Sequence, residues 1–270
     1  MINFFNIIAS ISNRTTINAG NPTGKRLYLA AGQSNTTGVI DASSRPQWFI
    51  DLGDEFPTVQ FMDNPSNIFG NYTLNSAGKY SYEMYLYKLL AEYKDEVIYS
   101  IHQDESGTSI SPEAKETAAG YWTTRLGDIP AGKKKILPDW ESRITTGLNY
   151  LNTNSINYDL KCVIWHQGES DSFGQGPALY YDELKALIAE IRTHTNTPNL
   201  KWILGGINTS STSYNQIVQD AKIQIASEDS DVFYVPVLNG TQYLNADSLH
   251  FNASGGIDLA EGIFDVIKDF

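Results

Sequence analysis

The sequence predicts a three-layer α/β/α sandwich around a mostly parallel, five-stranded sheet. Short apolar runs alternate along the chain with segments whose apolar residues recur at helical spacing, which is the pattern of repeated βαβ units. Polar clusters follow strand-like runs, at Ser34 and again after Ile164. An open sheet of this class carries its site at the carboxyl ends of its strands, so these clusters indicate the functional edge.

Five apolar runs predict the strands. They lack the clean alternation of a half-exposed strand, which favours parallel strands covered on both faces. The predicted strands are residues 26–31, 96–103, 160–166, 201–207 and 232–237.

Five segments with helical periodicity lie between or after these strands. In the first, Ser81 is the predicted N-cap, and in the last, Ser254 is. The predicted helices are residues 81–93, 139–151, 180–193, 215–226 and 254–267.

Two insertions interrupt the alternation, at residues 41–79 and 106–138. Both follow candidate active-site strands, so we expect them to shape a substrate cleft. The first contains a possible hairpin strand at residues 58–62. Residues 1–25 are predicted to form an N-terminal arm or linker, and residues 26–270 one catalytic domain.

Bulk composition excludes several classes of protein. The net charge of −12 argues against a nucleic-acid partner, because phosphate binding needs a basic face. No apolar stretch approaches the roughly 18–20 residues of a membrane span, and the N-terminus has no basic segment typical of a signal peptide. The single cysteine, Cys162, permits no intrachain disulfide. The 16 Tyr and 5 Trp suit a sugar-binding surface but equally suit a loop-rich extracellular protein.

Ser34 and His250 are the candidate nucleophile and base. A serine hydroxyl needs an adjacent base and a third group that orients the base. In Asp247-Ser248-Leu249-His250, the spacing lets the carboxylate accept from the imidazole and fix its tautomer. Taken alone, Ser34 fits a turn or capping serine, and Asp247 fits a helix cap beside an incidental histidine.

An acyl-transfer site also needs donors for the oxyanion of the tetrahedral intermediate. The candidates are the backbone N–H of Ser34, the backbone N–H of Gly107 and the side-chain amide of Gln167. Two of these residues also fit a role without chemistry, since Gly107 can be a turn glycine and Gln167 a surface glutamine.

Taken together, four motifs resemble those of the SGNH hydrolases, in the branch of the sialate O-acetylesterases and the acetylxylan esterases of carbohydrate esterase family 6. The resemblance covers about residues 26 to 268, and the third block is the most specific. The motifs are Gly32-Gln33-Ser34-Asn35, Gly107-Thr108-Ser109-Ile110, Trp165-His166-Gln167-Gly168-Glu169-Ser170-Asp171 and Asp247-Ser248-Leu249-His250.

The resemblance implies a flavodoxin-like fold and removal of acetyl groups from sugar hydroxyls without a cofactor. It implies that Ser34 is the nucleophile, His250 the base and Asp247 its orienting acid. Ser34, Gly107 and Gln167 would form the oxyanion hole, and Glu169 would hold the loop or the Ser34 turn. The supporting residues of the motifs would be Gln33, Asn35 and Glu169. Two departures, at Ser106 and at Thr36-Thr37, affect the expected acyl pocket but no catalytic group.

Several alternatives remain open. His102 and His166 could join Asp104 and Glu169 in a metal cluster, but no tight ligand spacing is present, so we predict no metal. A glycan-binding module without turnover, and a lipase or thioesterase of the same superfamily, compete with the sugar esterase. The Asn/Thr-rich arm suits attachment to a larger assembly, such as a bacteriophage tail that acts on a bacterial surface glycan. We therefore expect an acetylated oligo- or polysaccharide as the partner and an extracellular or virion-associated location.

Overall fold

A central sheet organises the structure, a computed structural model that describes residues 23–63 and 68–270. Within those residues the strands are, in chain order, β1 (Lys25–Gly32), β2 (Ile40–Asp41), β3 (Glu55–Met62), β4 (Gly70–Thr73), β5 (Lys79–Tyr80), β6 (Ile98–Asp104), β7 (Gly120–Tyr121), β8 (Lys134–Lys135), β9 (Tyr158–His166), β10 (Lys201–Gly205) and β11 (Val232–Val235). Seven of them form the main sheet, in the order β11-β10-β9-β1-β6-β3-β4. The pairs β2 with β5 and β7 with β8 form two small separate sheets.

The five predicted strands are contiguous in this sheet and all parallel. The mostly parallel α/β prediction is therefore confirmed, but the count of five strands is wrong. The first insertion adds β3, which pairs with β6 in parallel, and β4, which pairs with β3 antiparallel and forms the edge. The predicted hairpin strand at residues 58–62 is the second half of β3.

Helices cover both faces of the sheet. One face carries α4, α5 and α6, and the other carries α3 and α7. In chain order, the helices of the described residues are α1 (Ser34–Thr37), α2 (Gln47–Asp51), α3 (Glu83–Lys94), α4 (Ile136–Thr153), α5 (Gly176–His194), α6 (Gln216–Glu228) and α7 (Ala253–Ile267). None of them is long and apolar enough to cross a membrane.

Alternating side chains of β1 separate the two halves of the core. Leu27 and Leu29 face the layer of α4, α5 and α6, whereas Tyr28 and Ala30 face α3 and α7. All four residues are fully buried. This two-residue period is the geometry of a strand with both faces covered, and it places β1 at the centre of the molecule.

Two predicted helix caps differ from the structure. Ser254 lies inside α7, because Asn252 caps that helix and accepts a hydrogen bond from the Gly255 N–H at 3.1 Å. Helix α3 begins at Glu83 rather than directly after Ser81, although Ser81 Oγ still accepts from the Glu83 N–H at 3.2 Å. Asparagine and serine are both common N-caps, because each side chain has an oxygen that can accept from a free backbone N–H of the first helical turn. In α7 the side-chain oxygen of Asn252, and not that of Ser254, accepts such a bond.

The start of β1 lies beside Phe270 and Glu96, at the amino-terminal edge of the sheet. Arg26 Nη1 donates a hydrogen bond to the carbonyl of Phe270 at 2.7 Å, and Arg26 Nε lies 3.0 Å from Glu96 Oε1. The predicted N-terminal arm lies almost entirely outside the described residues, so the division into an arm and a catalytic domain stays a prediction.

Candidate active site

The predicted site segments meet at the carboxyl ends of the central strands. Ser34 follows β1, residues 105–111 follow β6, and residues 167–171 follow β9. The strand β1 pairs with β6 on one side and β9 on the other, so the crevice opens where the strand order reverses. Such a switch point is the usual ligand site of an open α/β sheet.

The backbone at Gly32 explains the close approach of the first and third segments. A Cβ on Gly32 would lie 2.2 Å from the carbonyl oxygen of His166 and 2.4 Å from Thr36 Oγ1. Only glycine therefore lets β1 turn directly into α1 beside the end of β9. The next residue continues this contact, because the Gln33 N–H donates to the His166 carbonyl at 3.2 Å.

Ser34, His250 and Asp247 form one hydrogen-bonded row. Ser34 Oγ lies 2.8 Å from His250 Nε2, and His250 Nδ1 lies 2.7 Å from Asp247 Oδ2. A carboxylate only accepts, so we assign the imidazole proton to Nδ1, which leaves Nε2 to accept from the serine hydroxyl. The row has the order that a serine nucleophile, its base and an orienting acid require.

The turn that carries His250 is fixed by its own backbone. Asp247 Oδ1 accepts from the backbone N–H groups of Leu249 at 2.9 Å and of His250 at 3.0 Å. Burial raises the pKa of Asp247, but these bonds and the imidazole outweigh it and hold the pKa below its usual value. The carboxylate therefore stays ionised in neutral solution and can stabilise an imidazolium.

Asn35 connects the beginning of the site to its end. Its Nδ2 donates to Glu169 Oε1 at 2.8 Å, and its Oδ1 accepts from the backbone N–H of Phe251 at 3.0 Å. Both ends of the amide are used, so its orientation is defined. One buried side chain thus joins the residue after Ser34 to the residue after His250 and to the third segment.

The segment after β6 brings Gly107 to the site edge. Gly107 has a φ of +70°, which favours glycine, and Ser106 Oγ donates to Thr37 Oγ1 of α1 at 3.2 Å. Among the described residues, the backbone N–H groups of Ser34 and Gly107 have no hydrogen-bond acceptor. Both are thus free to bind an anionic oxygen.

Buried charges lie beneath the site. His166 donates from Nε2 to the Gly206 carbonyl at 3.1 Å, and burial lowers its pKa. Lys222, on α6, is fully buried and donates to the Gly205 carbonyl at 2.8 Å. Burial lowers its pKa to about 8, against the opposing effect of Glu169 and Asp171. Among the described residues, neither His166 nor Lys222 makes a hydrogen bond or an ion pair with Ser34 or His250.

Comparison with known proteins places this geometry in a family. The family described as "Carbohydrate esterase, sialic acid-specific acetylesterase" matches residues 140–268, which include Asp247, His250 and the segment after β9. The matched segment is just under half of the chain, and it supports a relationship to the carbohydrate esterases. The resemblance predicted from the four motifs is therefore confirmed, and so is the prediction of an esterase. No curated protein matches the chain at a significant level of sequence similarity.

Solved structures show that the esterase fold extends over most of the chain. A protein from Arabidopsis thaliana has a TM-score of 0.64 at 17% identity, over 90% of this chain and 99% of the other. The structure titled NanS has a TM-score of 0.62 at 14% identity, over 90% and 97%. A carbohydrate acetylesterase from Xanthomonas citri has a TM-score of 0.60 at 15% identity, and the match covers 89% of this chain but 56% of that one.

Gln167 lies under the esterase site rather than in it. The residue is fully buried, and its Nε2 donates to Asp171 Oδ2 at 2.6 Å, to the Thr108 carbonyl at 3.1 Å and to Gln33 Oε1 at 3.2 Å. An amide nitrogen has two hydrogens, so these acceptors already occupy it. The placement does not favour Gln167 as the predicted third oxyanion donor. We assign it instead to fixing the turn at Gln33.

Asp171 is a site residue of the esterase that sequence reasoning passed over. It is fully buried and accepts from the backbone N–H groups of Ile110 at 2.8 Å and Ser111 at 3.0 Å, besides Gln167. It therefore joins the segment after β9 to the segment of Gly107. Its place in the third motif, four residues after Gln167, was the one signal that could have identified it.

Proposed function

We propose that this esterase removes acetyl groups from carbohydrate hydroxyls through a Ser34 acyl-enzyme. The observation that carries the proposal is the hydrogen-bonded row of Ser34, His250 and Asp247, with 2.8 Å and 2.7 Å between its polar atoms. The match to the acetylesterase family supports the acetyl group and the sugar as the two parts of the substrate.

In the first half of the reaction, Ser34 Oγ attacks the acetyl carbonyl carbon while its proton moves to His250 Nε2. The C–O bond to the sugar then breaks, and the sugar oxygen leaves with that proton. Asp247 stabilises the imidazolium that forms between these two transfers. The products of this half are the free sugar hydroxyl and acetyl-Ser34.

In the second half, His250 accepts a proton from water, and the resulting oxygen nucleophile attacks the acetyl carbonyl. The bond between the carbonyl carbon and Ser34 Oγ breaks, Oγ recovers the proton from His250, and acetic acid leaves and ionises to acetate in neutral solution. Hydrogen bonds from the backbone N–H groups of Ser34 and Gly107 stabilise the oxyanion in both halves.

Replacement of the nucleophile tests this function. We expect Ser34→Ala to lower turnover of 4-nitrophenyl acetate and of an acetylated glycan panel roughly 10⁴-fold or more, because no acyl-enzyme can form. Ser142→Ala, on the outer surface of α4, is the matched control and should keep full activity. Nitrophenol and acetate release are measured in parallel. Undiminished acetate release by Ser34→Ala would rule out the mechanism.

The same assay separates the competing functions. A glycan-binding module without turnover would bind panel sugars and release no acetate from any of them. A lipase or thioesterase would prefer long-chain esters or thioesters to acetylated sugars. The setting on a bacteriophage tail stays a prediction, and the size of the native assembly tests it: a monomer without a partner for the N-terminal arm would contradict it.

A further inference from the structure

A buried histidine outside the catalytic row has no hydrogen-bond partner among the described residues. His102 lies on β6 and is 3% exposed, and neither its Nδ1 nor its Nε2 makes a hydrogen bond. It borders a crevice of about 270 Å³ between α1, β3 and the start of α3. A buried imidazole without partners loses the hydrogen bonds it had in water, so its neighbourhood points to a ligand.

Two carboxylates, those of Asp63 and Asp104, lie near the His102 ring. Asp63 follows β3, and Asp104 ends β6 two residues after the histidine, on the same side of the strand. One ligand atom from each of the three residues lies within 4.8 Å of the other two. All three are at the carboxyl ends of neighbouring parallel strands, so the strand pairing itself sets this arrangement.

The distance between the Asp63 carboxylate and the His102 ring suits two ligands of one metal ion better than two partners of one hydrogen bond. Asp63 Oδ1 lies 3.6 Å from His102 Nδ1, which is too long for a hydrogen bond. Two ligand atoms each about 2.1 Å from one metal ion, at a tetrahedral angle, lie roughly 3.4 Å apart. A small cation therefore fits between these atoms with little movement of the side chains.

The other ring nitrogen faces a buried carboxylate. Glu83 Oε2 lies 3.6 Å from His102 Nε2, and Glu83 is fully buried. Tyr87 donates to Glu83 Oε1 at 2.9 Å and Ser81 to Oε2 at 3.2 Å, so the carboxylate is held in place. At 3.6 Å the carboxylate attracts the ring without a hydrogen bond, and a small shift of the imidazole on metal binding would bring the ring N–H within hydrogen-bond distance of Glu83.

Acidic side chains also outnumber basic ones around His102. Asp63, Glu83 and Lys79 line the same crevice as the histidine, and Asp104 and Arg143 lie nearby. Three acidic groups against two basic ones favour a cation at this place.

We propose that Asp63, His102 and Asp104 bind one divalent transition-metal ion, with water completing its coordination. One imidazole and two carboxylates suit Zn²⁺ or Mn²⁺ better than the all-oxygen sites of Ca²⁺. The ion would tie the end of β3 to the end of β6 beside α1. It takes no part in ester hydrolysis, so the proposal does not depend on the proposed function.

Metal titration of the stripped full-length protein tests the site. Zn²⁺ and Mn²⁺ are added separately and binding is followed by calorimetry, with Mn²⁺ also followed by electron paramagnetic resonance. We expect one ion per chain. His102→Gln and Asp104→Asn should weaken binding at least tenfold, because each removes a ligand. His194→Gln is the matched control, since His194 Nδ1 also lies near a carboxylate, 3.9 Å from Glu141 Oε1, and it should bind as the wild type does.

Two further variants keep the outcome decisive. Asp63 is partly exposed, so Asp63→Asn should fold and still weaken binding tenfold, which circular dichroism and titration check together. His250→Gln should leave binding unchanged. Absence of binding, or binding that His250→Gln abolishes and Asp63→Asn leaves intact, would overturn the proposal.

Discussion

At the scale of single residues, Asn35 links the segment of the proposed nucleophile to two distant segments of the site. Its amide is bonded at both ends, to Glu169 and to the Phe251 N–H, and it lies 216 positions before Phe251 in the sequence. The distance between Ser34 Oγ and His250 Nε2 depends on how these two distant segments are held together. Asn35 is therefore a positioning residue of the proposed mechanism.

We predict that Asn35→Ala lowers kcat for acetyl ester hydrolysis about 10- to 100-fold and changes KM much less. The substitution leaves the Phe251 N–H and Glu169 Oε1 without a partner, at a cost of about 1–3 kcal/mol for each buried group. The His250 turn is then free to move away from Ser34. Steady-state kinetics provide the measurement, with Asn71→Ala on β4 as control. Equal kcat values for the two variants would mean that Asn35 has no such role.

The sequence predicts the role of a site residue when its hydrogen-bond partners are close to it in the sequence. Asp247 binds the backbone and ring of His250 within one turn, and a local motif carries that information. The direction of the Gln167 amide depends on Thr108, Gln33 and Asp171, which only the fold brings together. Asp63 is a similar case, because its relation to His102 depends on the pairing of β3 with β6.

At the scale of elements, the segment of Gly107 is held by one carboxylate on the neighbouring segment. Asp171 accepts two backbone N–H groups of residues 110 and 111 and the Gln167 amide. Burial raises the pKa of Asp171 to about 7, although these three bonds act in the opposite direction. Desolvation outweighs the three bonds, so the folded protein favours the protonated carboxyl over the ionised one more than water does.

A pH-dependent stability follows from that pKa. The pKa of Asp171 is about 7 in the folded protein, against 3.8 for an unperturbed aspartate, so the folded state binds more protons between these values. The stability that Asp171 contributes is fully present below the lower pKa and is lost as the pH rises through the higher one. We predict that the free energy of unfolding of the wild type falls, relative to that of Asp171→Asn, between about pH 4 and about pH 8.

Urea denaturation of the two proteins at several pH values measures this difference. Asp182→Asn, an exposed residue of α5, is the control and should follow the wild type at every pH. A constant difference between wild type and Asp171→Asn would show that Asp171 does not titrate in this range.

The elements themselves divide into those that the sequence pattern identifies and those that it does not. The five parallel strands are apolar runs bounded by helices, and periodicity finds such runs. The strand β3 has Pro57 within it and exposed residues along it, and β4 has four residues, so neither shows a clear pattern. The edge of β6 offers unpaired backbone groups to β3, and β3 in turn offers its own free edge to β4, which is a property of the assembled sheet.

At the scale of the whole molecule, the candidate site and the contact between Arg26 and Phe270 lie at opposite edges of the sheet. Ser34 follows the carboxyl end of β1, while Arg26, near the start of the same strand, contacts Phe270. An eight-residue strand spans roughly 25 Å. The edge that carries Ser34 is therefore separated by about that distance from the edge that carries Arg26 and Phe270.

The contact between Arg26 and Phe270 lies on the amino-terminal edge of the sheet, away from Ser34. A support bound at this edge would hold the protein from the side opposite the proposed catalytic residues. The catalytic edge would then face outward, toward a polymer or a surface, without any change to the chemistry.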